Sequence, residues 1–224
     1  MQNSKVWNTY EVVNFFDKNR RDVKDVYPSE WLFLANELRE GISILDIGCA
    51  QGGFSNIISN NIKNFKYTGL DISKSMIERA RLKYPQHTFH QINEADFSPI
   101  GNEKYDLVLA FGILHIHEKW RETLKLTWKH CAKTLLLDMR ETSQKTVEDK
   151  EKSYFCMREA KTKEEIVQFS IPYNVINTSE ALEIIRTMCH GYSNIYRYGY
   201  YHPISEYAKS SVNPVMATVY CIKK

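Results

Sequence analysis

The residues with the strongest chemical signal form a turn of small residues between an apolar strand and a helix. Ile42–Leu45 predicts the strand, and helical periodicity begins at Phe54. Small residues let the backbone turn tightly beneath a ligand, which the free N–H groups of a helix start can bind. The acid Asp46 disfavours a phosphate next to this turn and favours a cationic ligand. The turn comprises Gly48, Cys49, Ala50 and Gly52.

Two further acids follow predicted strands, in the order expected of a nucleotide site. Asp71 ends the strand-like segment Phe65–Leu70, roughly twenty residues past the turn. A doubly wound fold places there the acid that binds both ribose hydroxyls. Asp96, with Phe97 beside it, follows the strand-like segment Thr88–Ile92. The ordered set indicates a nucleotide cofactor more strongly than the turn alone, since a lone Gly-rich turn is often only a turn.

The turn resembles the first motif of the class I S-adenosylmethionine-dependent methyltransferases, acid-x-Gly-x-Gly-x-Gly, with Ala50 in place of the middle glycine. The resemblance covers about residues 40 to 140 and implies S-adenosyl-L-methionine as the cofactor. It implies that Ile72 and Met76 flank the adenine and that Asp96 accepts the adenine amino hydrogens. The implied cofactor-binding residues are Asp46, Gly48, Cys49, Ala50, Gly52, Phe54, Asp71, Ile72, Met76, Asp96, Phe97 and Phe111.

Further strand-like segments complete one Rossmann-like sheet. They are Tyr105–Phe111, Lys133–Met139 and the final pair Asn194–Tyr198 and Val215–Ile222. The expected fold class is α/β, a doubly wound seven-stranded sheet with an antiparallel last strand. A chain of 224 residues forms a stable core as one domain. The predicted methyltransferase domain, 1–224, comprises a helical cap over 1–40, a cofactor-binding core over 41–140, an insertion over 141–177, and a C-terminal helix and strand pair over 178–224.

Several side chains are expected near the carboxyl ends of the strands, where an open α/β sheet holds its ligands. Arg140 suits an anionic group, and His115, His117 and His202 are candidate bases for a hydroxyl acceptor. A carboxylate or phosphate-type oxygen needs no base. The spacing of His115 and His117, without further spaced ligands, predicts no metal site. The predicted acceptor contacts are Tyr27, Arg140, Glu141 and Tyr200.

The leader resembles that of bacterial small-molecule methyltransferases often encoded among surface-carbohydrate genes, a resemblance of low specificity. It implies a cap that closes over the cofactor and an acceptor oxygen on a sugar or surface-polysaccharide precursor. Arg20, Arg21 and Tyr27 then face the methionine carboxylate or the acceptor, or they are surface charges and core packing. The leader residues are Trp7, Tyr10, Phe16, Arg20, Arg21, Tyr27, Pro28, Ser29 and Glu30.

A long connection separates the fifth strand from the helix predicted over Thr178–Met188. It exceeds thirty residues, far longer than the usual link between a strand and a helix. Its apolar alternation predicts a short helix and strands of its own. We expect residues 142 to 177 to form a lid over the acceptor or a contact in a homodimer.

The composition limits the cellular compartment and the binding partners that we expect for this protein. The chain has 30 basic and 27 acidic residues, a net charge of +3 without a basic tail, which disfavours a dedicated nucleic-acid binder. No apolar run is long enough for a membrane span, and the first residues lack a secretory core. The five cysteines include no C-x-x-C pair. We therefore predict a cytoplasmic protein with a small-molecule acceptor and no nucleic-acid or membrane partner.

Other functions compete with a small-molecule methyltransferase. Cys49–Ser55 resembles the cofactor loop of ribose 2′-O RNA methyltransferases, but Phe111 and Arg140 stand near positions where that family has catalytic Asp and Lys. The fourth strand also lacks the Pro-Pro signature of DNA amino-methyltransferases. Asp46 and Asp96 disfavour an NAD-dependent oxidoreductase. A non-catalytic nucleotide-binding protein stays open as an alternative.

Overall fold

A mixed β-sheet forms the centre of the protein. The computed structural model describes residues 6–7, 12, 15–16, 19–156 and 162–224. In chain order, the strands within these residues are β1 (Ile42–Ile47), β2 (Phe65–Asp71), β3 (Thr88–Gln91), β4 (Tyr105–Ala110), β5 (Cys131–Thr142), β6 (Ser153–Phe155), β7 (Ile171–Pro172), β8 (Ile176–Asn177), β9 (Asn194–Tyr201), β10 (Ala208–Ser210) and β11 (Met216–Lys223).

The strand order is that of a doubly wound fold. It runs β3-β2-β1-β4-β5-β11-β9, with parallel pairing from β3 to β5. β11 lies antiparallel between β5 and β9. These seven strands confirm the predicted fold class. The short strand β8, from the end of the insertion, adds an eighth by pairing in parallel with the end of β5, Glu141 opposite Ile176.

Helices pack on the sheet through two separate apolar clusters. The alternation of β1 shows the division, because Ile44 belongs to one cluster and Leu45 to the other. Within the described residues, no helix is long and apolar enough to cross a membrane. Within the described residues, the α-helices with defined bounds are α1 (Pro28–Glu37), α2 (Gly53–Ser59), α3 (Lys74–Lys83), α4 (Trp120–His130), α5 (Lys163–Phe169) and α6 (Thr178–Met188).

The described part of the predicted cap packs against the turn that follows β1. Val12 is fully buried in a cluster with Ala50 and Met76, and Trp7 and Phe16 pack against that cluster. The leader therefore contributes apolar cover directly above the predicted cofactor turn. Of the leader residues named above, Tyr10 lies outside the described residues.

The insertion forms local structure of its own, as its apolar alternation predicts. β6 pairs antiparallel with both β7 and β10, so the insertion joins a three-stranded sheet with a segment close to the C-terminus. α6 has the predicted bounds. Its start is fixed by Asn177, whose side-chain oxygen accepts a hydrogen bond from the Ser179 N–H at 3.0 Å.

Glu148 ties the insertion to α4. The indole of Trp120 donates to its carboxylate at 2.7 Å, and Arg121 donates to both oxygens at 2.5 and 2.8 Å. Glu148→Ala leaves the buried indole N–H without this acceptor, so we expect a loss of about 1–3 kcal/mol in the free energy of unfolding, measured in urea. Glu183→Ala, on the exposed side of α6, is the control. Equal stability of the two variants would contradict the prediction.

Candidate active site

The turn after β1 has backbone angles that favour small residues. Gly48, Ala50 and Gly52 have φ angles of 72°, 46° and 79°, all in the left-handed region. A Cβ on Gly52 would lie 3.0 Å from ring atoms of Phe89 and Tyr84. Side chains are therefore excluded at Gly52 by both backbone strain and contact. The tight turn lines a cavity at the carboxyl ends of β1 and β2, which we call the loop cavity.

Asp71 joins this turn to the end of β2. Its Oδ2 accepts a hydrogen bond from the Ala50 N–H at 2.8 Å, and its Oδ1 accepts one from the Ser73 N–H at 2.8 Å. Burial raises the pKa of Asp71, and these backbone hydrogen bonds oppose the shift. A carboxylate oxygen can accept more than one hydrogen bond, so each oxygen can also take a ligand hydroxyl. Asp71 lines the loop cavity, as its predicted role requires.

Most of the predicted cofactor residues surround the loop cavity. Cys49 and Phe54 instead line a narrower extension of it, beside Gln51 and Lys83. Gly52 precedes α2 and shapes the turn without lining the cavity. The predicted residues that line the loop cavity are Gly48, Ala50, Asp71, Ile72, Met76, Phe97 and Phe111.

Asp46 is not directed into the loop cavity. Its side chain is 1% exposed, accepts a hydrogen bond from the Tyr67 hydroxyl, and is not among the described residues that line the cavity. Burial raises the pKa of Asp46 to about 7, against the Tyr67 hydrogen bond. The sequence predicts that Asp46 contacts a cationic ligand. In the structure, Asp46 instead lies beneath the turn and is hydrogen-bonded to Tyr67 of β2.

Asp96 likewise is not among the described residues that line the loop cavity. Its Oδ1 accepts a hydrogen bond from the Ser98 N–H at 3.0 Å, which lowers the pKa of Asp96 and starts the 3-10 turn Ser98–Ile100. Asp96 is absent from the described lining, whereas its neighbours Glu94 and Ala95 are part of it. The carboxylate that lines this part of the cavity is therefore Glu94, which the sequence pattern did not single out.

A second cavity, of about 350 Å³, adjoins the loop cavity, and we call it the Arg140 cavity. This volume is in the range of small-molecule sites. Both cavities share Trp7, Phe16, Arg20, Gly112 and Ile116 in their linings. These five residues therefore form the wall at which the two cavities meet.

Arg140 and Asp138 form a buried ion pair beside this cavity. Nη1 of Arg140 donates to Oδ2 of Asp138 at 2.6 Å, and the guanidinium lies 5.6 Å from the ring centre of Tyr27. Asp138 also accepts the Gly112 N–H at 2.5 Å. Burial opposes ionisation of Asp138, but the Arg140 charge holds the pKa of Asp138 below its ordinary value. In turn Asp138 raises the pKa of Arg140, against the effect of burial. The cation is therefore fixed in place.

The three predicted histidine bases do not share one cavity. His115 and His202 line the Arg140 cavity, but His117 lines the loop cavity. His117 is also occupied at both ring nitrogens, because Nδ1 accepts the Lys119 N–H at 3.0 Å and Nε2 lies 3.1 Å from Oγ1 of Thr123. The expected His115/His117 pair is thus split by the fold, and His117 is a wall residue of the loop cavity.

His115 and His202 differ in their surroundings in the Arg140 cavity. Burial and the nearby Arg140 charge lower the pKa of His115 to about 3, although its Nδ1 lies 3.9 Å from Asp138. His115 is therefore neutral and a weak base at pH 7. Nδ1 of His202 donates to the carbonyl of Pro203 at 2.7 Å, which leaves Nε2 as the acceptor nitrogen. His202 is the histidine whose geometry fits proton acceptance at the Arg140 cavity.

Two of the four predicted acceptor contacts line the Arg140 cavity, Tyr27 and Arg140. Glu141 points to the opposite face of the sheet, because successive residues of a strand alternate, and there it accepts a hydrogen bond from the Tyr220 hydroxyl. Tyr200 is not among the described lining residues, and its ring packs 6.0 Å from that of His202. Neither Glu141 nor Tyr200 is therefore a direct contact in this structure.

Arg20, whose role the leader pattern left undecided, lies at the junction of the two cavities. It lines the loop cavity, its extension and the Arg140 cavity. Its Nη1 donates to the Phe111 carbonyl at 3.3 Å, and a Cβ on Gly112 would lie 2.2 Å from its Nη2. Gly112 therefore leaves room for the guanidinium. Arg21, by contrast, lines only the extension.

The sequence pattern missed three further residues of the Arg140 site. Asp138 lies two positions before Arg140 on the same strand, so period-two alternation inside an apolar run was an available signal. Glu30 is in α1, where the pattern indicated only a helix start. Tyr173 comes from the insertion and reaches the cavity through tertiary folding, for which the sequence carries no local signal.

The fold and the paired cavities define a Rossmann-like protein with a ligand site at the carboxyl ends of its parallel strands. Residues 45–135 match a protein family described as "Methyltransferase domain". This match covers less than half of the chain and agrees with the methyltransferase resemblance of its core motifs.

A curated relative of the chain is also a methyltransferase. Over 98 residues the chain is 30% identical to trans-aconitate 2-methyltransferase of Rhodopseudomonas palustris (strain BisA53), a match that covers 43% of this chain and 36% of that protein. The match thus spans little more than a third of that relative's length.

Two solved structures share the fold over most of the chain. One is Haemonchus contortus phosphoethanolamine N-methyltransferase 2 in complex with phosphomonomethylethanolamine and S-adenosylhomocysteine. It has a TM-score of 0.60 and 14% identity, and the match covers 88% of this chain and 52% of that one. The other is magnesium protoporphyrin IX methyltransferase from Synechocystis PCC 6803 with bound S-adenosylmethionine. Its TM-score is 0.55 with 14% identity, and the match covers 100% of this chain and 90% of that one.

Proposed function

We propose that the protein is an S-adenosylmethionine-dependent methyltransferase that acts on a small polar metabolite. The observation that carries this proposal is the pair of adjoining cavities, one built on the turn and Asp71, the other beside Arg140. The methyltransferase-domain match over 45–135 supports the reaction type, and the ligands of the solved relatives support the cofactor.

The lining of the loop cavity supports S-adenosylmethionine as its ligand. Asp71 has lone pairs left for two ribose hydroxyls. Ile72 and Phe97 supply apolar contacts for the adenine, and Arg20 supplies a cation for the methionine carboxylate. When bound, the cofactor supplies a methyl group activated by positive sulfur.

The chain's own residues align the acceptor and exclude water. Such positioning is the main demand of a methyl transfer, because the displacement needs little covalent help from the protein. Arg140, held by Asp138, fixes a polar or anionic group of the acceptor, and Tyr27 covers the guanidinium. His202 is available as a base where the acceptor is a hydroxyl.

The finer identity of the acceptor is part of the proposal. An oxygen of a sugar or of a surface-polysaccharide precursor is supported by the leader resemblance. The acceptor in the name of the Rhodopseudomonas relative, trans-aconitate, is a small carboxylic acid, which agrees with a cation at Arg140. The insertion fits a lid better than a dimer contact, because Phe155 and Tyr173 line the Arg140 cavity. A cytoplasmic location without nucleic-acid or membrane partners stays part of this prediction.

Ligand titration tests the proposed function. We expect isothermal calorimetry to show that S-adenosylhomocysteine binds at least about tenfold more tightly than NAD, because the acidic residues Asp71 and Glu94 in the lining of the loop cavity disfavour a pyrophosphate. A tritiated-methyl assay with tRNA and rRNA is the control for the RNA-methyltransferase alternative. Absence of S-adenosylhomocysteine binding, or efficient RNA methylation, would overturn the proposal.

A further inference from the structure

Glu30 is a buried carboxyl group with one unused oxygen beside the Arg140 cavity. The residue is 1% exposed, and its Oε2 accepts the Tyr27 N–H at 3.1 Å. Its Oε1 has no hydrogen-bond partner among the described residues, yet Glu30 is part of the cavity lining. Leaving a buried polar atom unpaired costs roughly 1–3 kcal/mol, so such atoms usually have a partner. A ligand in the cavity is the missing partner that this geometry suggests.

Charged groups and one neutral tyrosine from several elements lie near Glu30. Arg20 comes from the segment before α1, Asp138 and Arg140 come from β5, and Tyr200 comes from β9. Burial is the main effect and raises the pKa of Glu30 to about 7, with Asp138 adding to the shift and Arg20 and Arg140 opposing it. The carboxyl group therefore exists in both protonation states near neutral pH.

Protonation decides which ligand this oxygen accepts. As a carboxylate, Oε1 repels an anion and accepts a hydrogen bond. As a carboxylic acid, the group donates a hydrogen bond and adds no negative charge to the cavity. The Asp138 charge is balanced by Arg140 at 2.6 Å. With Glu30 neutral, the charges of Arg20, Arg140 and Asp138 sum to one positive charge, which favours an anion.

We propose that Glu30 and Arg140 together bind an oxyanion of the acceptor, and that Glu30 does so in its protonated form. This inference rests on the proposed function for its role in catalysis, and it names the acceptor class as a small carboxylate or phosphate-type oxyanion. Binding is coupled to uptake of a proton by Glu30. An oxyanion has no proton to lose when it is methylated, so its methylation needs no base. The proton in this site is the one on Glu30.

The pKa of Glu30 sets the size and the sign of the coupling between proton uptake and anion binding. When only the protonated form binds the anion, the apparent affinity follows the protonated fraction of Glu30. With a midpoint at about 7, that fraction falls about tenfold between pH 6 and pH 8. Anion affinity is therefore highest at acidic pH and is lost as the pH rises through the Glu30 midpoint.

Sulfate is the probe, because its charge does not change between pH 6 and pH 8. We expect calorimetry on the full chain to show sulfate affinity falling about tenfold over this range. In Glu30→Gln, whose neutral amide can still donate, the affinity should stay constant at the value that the unmodified protein has at pH 6. His202→Gln replaces a histidine that lines the same cavity and should retain the tenfold change. Glu183→Gln, on the exposed side of α6, is the matched control.

Several outcomes would overturn the inference. They are absent sulfate binding, a pH-independent affinity in the unmodified protein, or loss of the pH dependence in His202→Gln instead of Glu30→Gln. Should Glu30→Gln fail to fold, calorimetry of the unmodified protein in buffers of different ionisation enthalpy still decides, with about half a proton taken up per sulfate at pH 7. Parallel titration with S-adenosylhomocysteine separates the two proposals. Its failure overturns the proposed function, while the sulfate result still decides the role of Glu30.

Discussion

Replacing Arg140 with Met is expected to lower the free energy of unfolding by about 3–5 kcal/mol at pH 7. The change removes one partner of the buried pair and leaves the Asp138 carboxylate, which is 1% exposed, without its cation. Among the described residues, Asp138 then keeps the Gly112 N–H as a neutral hydrogen-bond donor and the His115 ring, whose Nδ1 lies 3.9 Å away. An unpaired buried charge is among the most destabilising changes a point mutation makes.

Urea unfolding at pH 7 measures this effect. Arg186→Met, on the exposed face of α6, is the matched control and should change the stability by less than about 0.5 kcal/mol. In the double variant Arg140→Met/Asp138→Asn, part of the lost stability should return, because the orphaned charge is gone. Equal losses in the Arg140 and Arg186 variants would contradict a stabilising role for the pair.

The same pair predicts a pH dependence. The folded-state pKa of Asp138 lies below its unfolded value, so its contribution to stability is present above the unfolded pKa and is lost as the pH falls through the folded pKa. Arg140→Met removes the cause of this shift. The stability difference between Arg140→Met and the unmodified protein should therefore be smaller in acid than at pH 7.

Local patterns in the sequence were sufficient to predict the elements of the fold. An apolar run bounded by a turn of small residues predicts β1, and α6 has the predicted bounds because Asn177 provides a side-chain cap. The cofactor turn was predictable for the same reason. Its left-handed φ angles and the contact of Asp71 with the Ala50 N–H depend on residues that a motif contains.

The orientation of single side chains was not predictable from those patterns. Asp46 follows the motif, yet Tyr67 on the neighbouring strand binds its carboxylate. Asp96 has the expected position along the chain, but it caps a 3-10 turn instead of lining the cavity. Glu30 reaches the Arg140 cavity because α1 packs near β5, a contact between distant segments. Each difference arises from a partner that is remote in sequence or from a choice between two local hydrogen bonds.

Asp71→Ala is expected to weaken binding of S-adenosylhomocysteine at least about tenfold. The ribose hydroxyls would lose a charged acceptor, and each hydrogen bond to a charged group contributes roughly 1.5–3 kcal/mol. The turn would also lose the acceptor of the Ala50 and Ser73 N–H groups at 2.8 Å. Asp71→Asn keeps one oxygen acceptor without the charge, so it should lie between Asp71→Ala and the unmodified protein.

Asp96→Ala is the control that separates the structure from the motif. The motif assigns Asp96 to the adenine and so predicts a comparable loss of affinity, whereas its side chain here accepts the Ser98 N–H at 3.0 Å and lies outside the described lining of the loop cavity. We therefore expect Asp96→Ala to change S-adenosylhomocysteine affinity by less than about threefold, a small part of one hydrogen bond to a charged group. Calorimetry of the three single variants, with thermal unfolding to verify that each is folded, gives the answer. Equal affinity in Asp71→Ala and the unmodified protein would remove the ribose role of Asp71, and a tenfold loss in Asp96→Ala would restore the adenine role that the motif assigns to it.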